Sequence, residues 1–229
     1  SFSSKFDAWT KGETQLSAQE LNGLRLFNDP SKGNCAACHP STPANGLPAM
    51  FTDFTYDNLG VPRNTDIEAN NDHTSLSYVP YNGDGNHSYY DLGLCGPLRD
   101  DLSGNTTLCG AFRVPTLRNA ALTAPYFHNG KFATLQDALR FYVRRDTNPE
   151  EFYPVKADGS IEKFDDLPEM FRVNVNVTEA PYNRLPGQEP ALSESEITDV
   201  VAFICTLTDG YDSKNAANYV LPAQCPQAN

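Results

Sequence analysis

Five consecutive residues constrain this chain more than any others: Cys35-Ala36-Ala37-Cys38-His39. Two thiols at this spacing reach the two vinyl groups of a porphyrin, and the next residue is a histidine that can turn back onto the iron. The competing reading is half of a zinc site, which needs a second Cys-x-x-Cys or a histidine pair at ligand spacing. The sequence offers neither. The motif therefore predicts one covalent haem c, with Cys35 and Cys38 as attachment points and His39 as the proximal iron ligand. A cofactor of that size also supplies part of the core, so the chain can tolerate long stretches with little regular structure.

Such stretches are present. From Pro40 to about Ala111 helical periodicity is hard to find, and Pro43, Pro48, Pro62, Pro80 and Pro97 interrupt the run. A structureless length of this kind is uncommon in a compact domain unless it wraps something large. A second irregular stretch is expected from Thr147 to about Leu192. Helices are expected where capping pairs meet apolar stripes. One begins at Ser17 with Glu20, carries Leu21, Leu24 and Phe27, and stops at Asp29-Pro30; Gly23 leaves a bare patch for a neighbouring helix. Another begins at Thr134 with Asp137, with Leu135, Ala138, Leu139 and Tyr142 on one face. The last opens with Ser193 and Glu196, carries Ile197, Val200, Val201, Ile204 and Leu207, and ends at Asp209-Gly210. Residues 1–16 read as an extended lead-in and 211–229 as a C-terminal tail. The whole is expected to be one mainly α, cytochrome c-like haem domain with long irregular loops.

The other four cysteines are Cys95, Cys109, Cys205 and Cys225. In an oxidising compartment their spacing suggests Cys95–Cys109 and Cys205–Cys225 disulfides, each closing a short loop, with free buried thiols as the alternative. Of 229 residues 39% are hydrophobic and 20% charged, the balance of a globular chain, and the net charge is −12. That surface repels nucleic acid and anionic membranes; it either steers a basic protein partner or simply keeps an exported protein soluble. No apolar run reaches the length of a membrane span. No signal segment opens the chain, so Ser1 reads as the start of a mature or trimmed product.

The second axial ligand is open on residues alone. The candidates are Met50 and Met170, both in loops beside prolines, and His73, His87 and His128. His73 and His87 sit among Asn, Asp and Ser and read as solvated.

Several motifs in order resemble one known family. Phe112–Asn119 (FRVPTLRN), Leu122–Gly130 (LTAPYFHNG) and Phe132–Leu135 (FATL) are similar to the bacterial di-haem cytochrome c peroxidases and their relative MauG. The segment from Leu26-Phe27 to His39, and Phe51–Pro62 (FTDFTYDNLGVP), resemble that family's second haem domain. Members carry two Cys-x-x-Cys-His motifs, and this chain has one. The resemblance thus implies the C-terminal, electron-relay haem domain of a peroxidase or MauG-like oxidoreductase, with the N-terminal haem domain that meets peroxide missing. Peroxidase activity by this half alone is not implied.

The resemblance also places residues. It puts Tyr142 where a helix residue ligates the iron of the relay haem, methionine in the peroxidases and tyrosine in MauG. A phenolate is a hard anionic donor that favours ferric iron. The alternative is a packed amphipathic core residue. Thr123 and Pro125 match backbone ligands of a calcium ion between the two haem domains. Arg118 suits a haem propionate or an ordinary ion pair, and His128 is expected to organise a turn. Implied partners are a small cytochrome, a cupredoxin or a substrate protein, with a possible homodimer, in the periplasm or outside the cell. Other readings stay open: a stand-alone single-haem electron carrier, a single-haem peroxidase, or a binding module stabilised by its haem.

Overall fold

The computed structural model describes residues 2–44, 46–71, 89–99 and 101–226. Among them the regular structure is α1 (Lys5–Thr10), α2 (Ala18–Asn28), β1 (Tyr56–Asp57), α3 (Glu68–Asn71), β2 (Phe112–Arg113), α4 (Leu135–Arg144) and α5 (Glu194–Cys205). The strands form one short antiparallel ladder, Tyr56 opposite Arg113 and Asp57 opposite Phe112. The regular elements are therefore mostly helical, and among the described residues the two stretches expected to be irregular hold loops and short 3₁₀ turns, apart from β1 and α3 in the first.

Helix starts follow local chemistry. Ser17 accepts from the Glu20 N–H while the Glu20 carboxylate accepts from the Ser17 N–H, and Ser193 and Glu196 do the same at α5. These reciprocal bonds satisfy donors that a helix end leaves unpaired. Thr134 caps α4 through the Asp137 N–H.

The lead-in expected for residues 1–16 is corrected in part. Ser4 and Asp7 form a third capping box and start α1, which carries Phe6 into the core at 4% exposure. The Phe6 N–H also donates to the Thr206 carbonyl. The expected end of the last helix is corrected too. α5 stops at Cys205 with Thr206 as its C-cap, and Leu207, fully buried in the main core, lies just beyond the helix.

α2 and α5 cross at Gly23. A Cβ there would lie 1.9 Å from the Asp199 carbonyl oxygen and 2.8 Å from the Phe203 Cβ, so only glycine permits the approach. Asn22 ties the crossing by donating to Asp199 at 2.7 Å. Phe6, Phe27, Phe51 and Phe203 pack around it with ring centroids 5.1–6.2 Å apart. This aromatic cluster is the heart of the main core, which also takes in Leu135, Leu139 and Val143 of α4.

The long loops are anchored differently. Both expected disulfides are present, Cys95–Cys109 and Cys205–Cys225. Around the first, Leu92, Leu167, Phe171 and Val175 form a satellite cluster. The second ties residues 211–226 back onto the core. From that segment Gln224 accepts the Leu135 N–H at the start of α4 and donates to the Ala121 carbonyl. No helix among the described residues is long and apolar enough to cross a membrane.

A haem-sized cavity between the motif and α4

The attachment motif folds as a tight turn. Asn34 adopts a left-handed conformation (φ 51°), Cys35–Ala37 make one 3₁₀ turn, and the His39 N–H donates to the Cys35 carbonyl at 2.9 Å. Gly33 leaves room for the sulfur, since a Cβ there would meet the Cys35 Sγ at 3.1 Å. Neither Cys35 nor Cys38 is disulfide-bonded. Burial pushes the Cys35 thiol up to about 12. Cys38 is pushed up to about 11, by burial first and then by the carboxylates of Asp53, Asp57 and Glu179. While nothing is bound to them, both are therefore neutral thiols at neutral pH. Among the described residues no group of three or more His, Cys, Asp or Glu side chains could hold a metal ion.

His39 is 8% exposed, and its Nδ1 lies 2.9 Å from the Phe51 carbonyl oxygen. A carbonyl can only accept, so Nδ1 carries the proton and Nε2 keeps the free lone pair. Burial lowers the pKa of the ring, which keeps it neutral and able to ligate. Phe51 holds φ 53° to present that carbonyl, a left-handed conformation that a bulky residue rarely adopts.

Cys35, Cys38 and His39 line one side of a cavity of about 510 Å³, within the roughly 300–1,000 Å³ typical of cofactor and ligand sites. Facing them is α4. Its Leu135, Ala138, Leu139 and Tyr142, the stripe legible in the sequence, all line the cavity. Tyr142 is packed by Phe127 at 5.5 Å and Tyr182 at 6.3 Å between ring centroids. The accessible part of its side chain opens into the cavity, and burial raises its hydroxyl pKa well above the ordinary phenol value. No described residue hydrogen-bonds that hydroxyl. A neutral imidazole nitrogen and an unpartnered phenol oxygen thus share one mostly apolar cavity with two free thiols, a donor set that fits a covalently attached haem.

The other candidates divide between the cavity wall and the rest of the fold. Met50 and Met170 do not line the cavity; Met170 is 57% exposed on the turn Glu169–Asn174. Arg118 is not on the lining either. It makes a buried ion pair with Asp7 at 2.9 and 3.0 Å and donates to the Ala49 carbonyl, so its guanidinium is bound within the fold and the propionate expectation gives way. Thr123 and Pro125 do line the cavity and are exposed at its rim. His128 also lines the cavity, but its ring is engaged: it stacks on Phe112 with 3.7 Å between centroids and an interplanar angle of 7°, and its Nε2 lies 3.2 Å from Asp166. His73 and His87 lie outside the described residues.

Residues the sequence reasoning passed over are Arg113, the Phe51 carbonyl and Tyr182, a 7% exposed residue that lines the cavity beside Tyr142. One signal was available for Tyr182. Ala-Pro-Tyr occurs twice, at 124–126 and 180–182, and Pro and Tyr of both copies reach the cavity wall.

A Cys-x-x-Cys-His turn thus faces an α4 tyrosine across a mostly apolar cavity. No family model matches the chain. The diheme peroxidase BthA from Burkholderia thailandensis E264 superposes with a TM-score of 0.75 at 40% identity, covering 91% of this chain and 46% of that one. The methylamine utilization protein MauG of Paracoccus denitrificans is 30% identical over 217 residues, 91% of this chain and 47% of MauG. The cytochrome-c peroxidase IdrP2 of Denitromonas iodatirespirans is 32% identical over 162 residues, 69% of this chain and 40% of IdrP2. The chain belongs to the family of bacterial di-haem cytochrome c peroxidases and MauG, and it spans about half the length of the relatives it matches.

Proposed function

We propose that this chain is the electron-relay haem domain of a MauG-like or peroxidase oxidoreductase in the periplasm. It would hold one haem c through thioethers to Cys35 and Cys38, with His39 Nε2 and the Tyr142 oxygen as the donors available to its iron. The observation that carries the reading is the meeting of these four side chains in one cavity, with both oxygen and nitrogen donors unclaimed. When bound, the haem iron supplies one-electron redox chemistry.

The chain's own residues set the terms of that chemistry. Leu135, Ala138 and Leu139 line the cavity with hydrocarbon, the Phe51 carbonyl fixes the His39 tautomer, and a Tyr142 phenolate would favour ferric iron. Arg113 is the one Arg or Lys on the lining among the described residues and is our candidate for a haem propionate in place of Arg118. Thr123 and Pro125, exposed at the rim, would face the missing N-terminal domain, where their carbonyls could share a calcium ion with it. A small cytochrome, a cupredoxin or a substrate protein would exchange electrons with this domain.

The covalent claim is tested by intact mass and acid–acetone extraction of the haem-loaded protein. One haem per chain that resists extraction is expected, and becomes extractable when Cys35 and Cys38 are both replaced by alanine. A haem that extracts from the unaltered protein would overturn the reading.

A further inference from the structure

Tyr182 is 7% exposed, yet no described residue hydrogen-bonds its hydroxyl. Among the described residues its oxygen is not one of the buried polar atoms left without a partner, so it opens toward the cavity that the residue lines; once a haem fills that space, an unmade hydrogen bond there would cost roughly 1–3 kcal/mol. The ring is held firmly. The Arg145 guanidinium lies 4.3 Å from its centroid, and Arg145, fully buried, is itself fixed by Asp146 and by the carbonyls of Leu59 and Asn176. The Tyr182 N–H donates to the Glu179 carbonyl at 2.7 Å. On the cavity side Tyr182 meets Tyr142, with centroids 6.3 Å apart and rings inclined at 31°.

The two carboxylates on this wall are already held by other donors. Asp57 accepts from the Asn58 N–H and from Asn176, and Glu179 accepts from Asn176. The Tyr142 oxygen accepts from none of the described residues. A phenolate bound to iron has no proton to give, so between the two tyrosines Tyr182 must be the donor.

We propose that Tyr182 is a positioning residue for Tyr142: its hydroxyl donates to the Tyr142 oxygen, orients that oxygen into the cavity and withdraws part of its charge. The inference rests on Tyr142 as the axial ligand. It makes Tyr182 the setting that moderates how strongly the phenolate favours ferric iron.

The test is Tyr182→Phe in the haem-loaded protein, which keeps the ring against Arg145 and removes only the hydroxyl. The phenolate-to-iron charge-transfer band should move to longer wavelength. The ferric state should gain roughly tenfold over the ferrous, about 59 mV lower in a one-electron potential, because a hydrogen bond to a charged group is worth about that factor. An unchanged band and potential would overturn the proposal. Tyr142→Phe, run alongside, separates the two claims. If it leaves the ferric spectrum unchanged, the axial assignment fails; if it alters the spectrum while Tyr182→Phe does not, only the present inference fails. Should Tyr182→Phe not fold, resonance Raman of the unaltered protein in H₂O and D₂O decides. An isotope shift of the phenolate–iron stretch supports the hydrogen bond, and no shift rejects it.

Discussion

The two walls of the cavity are built by different means. One is helical: α2 and α5 cross at Gly23 around four phenylalanines, and α4 lays its apolar stripe against them. The other is loop, and it is held by buried charges and a covalent link. Arg145, with no exposure at all, binds Asp146, which also receives Lys163 at 2.6 Å. Arg63 binds Asp166 at 2.8 Å, and Cys95–Cys109 closes the far end. The helical wall is specified by neighbours in sequence; the loop wall is specified by groups that meet only when the chain has folded.

The contrast can be broken most severely at Gly23. Gly23→Val places a Cβ inside the Asp199 carbonyl, so α2 and α5 must separate. A loss above about 4 kcal/mol is expected in denaturant unfolding, the range reserved for core disruption. A near-neutral result would mean that the crossing is not as close as described. Next comes the loop wall. Arg145→Met leaves Asp146 short of a partner and two carbonyls unsatisfied, and should cost about 3–5 kcal/mol. If the loss is below 1 kcal/mol, buried charge is not what orders these loops.

A pH experiment sharpens the comparison where the first segment joins the core. Burial raises the Asp7 carboxyl, but hydrogen bonds from Arg118 and Ser4 outweigh it and hold the group below the usual carboxylate range. A folded pKa below the unfolded value of roughly 3.9 means stability is fully present above that pH and is lost as pH falls through the folded pKa. Asp7→Asn should therefore flatten the acid limb of the stability curve between about pH 4 and 2, and an unchanged limb would remove Asp7 from the account. The smallest effect is local: Ser193→Ala should cost about 1 kcal/mol by removing the α5 cap.

The same division explains what the sequence showed. Ser17 with Glu20, Thr134 with Asp137 and Ser193 with Glu196 announced three helices, because capping and an apolar stripe are written within four or five residues. α1 escaped notice since it has only six residues and its capping box closes with Asp7, where glutamate is the usual partner. At the site, Cys35, Cys38 and His39 were legible as adjacent residues. Tyr142 needed the family resemblance to stand out from its stripe. For Arg118 the sequence left a propionate contact and an ion pair both open, because its partner, Asp7, lies 111 residues away and no local pattern records that pairing. Tyr182 reaches the cavity from a loop that has no periodicity, so only the repeated Ala-Pro-Tyr hinted at it.

The measurement that bears most directly on the central claim is a comparison of ferric optical and EPR spectra between the haem-loaded protein and its Tyr142→Phe variant. The account predicts a low-spin, tyrosinate-type signal that resists dithionite in the parent and disappears in the variant. Identical spectra, or a methionine-to-iron band in the reduced parent, would contradict it.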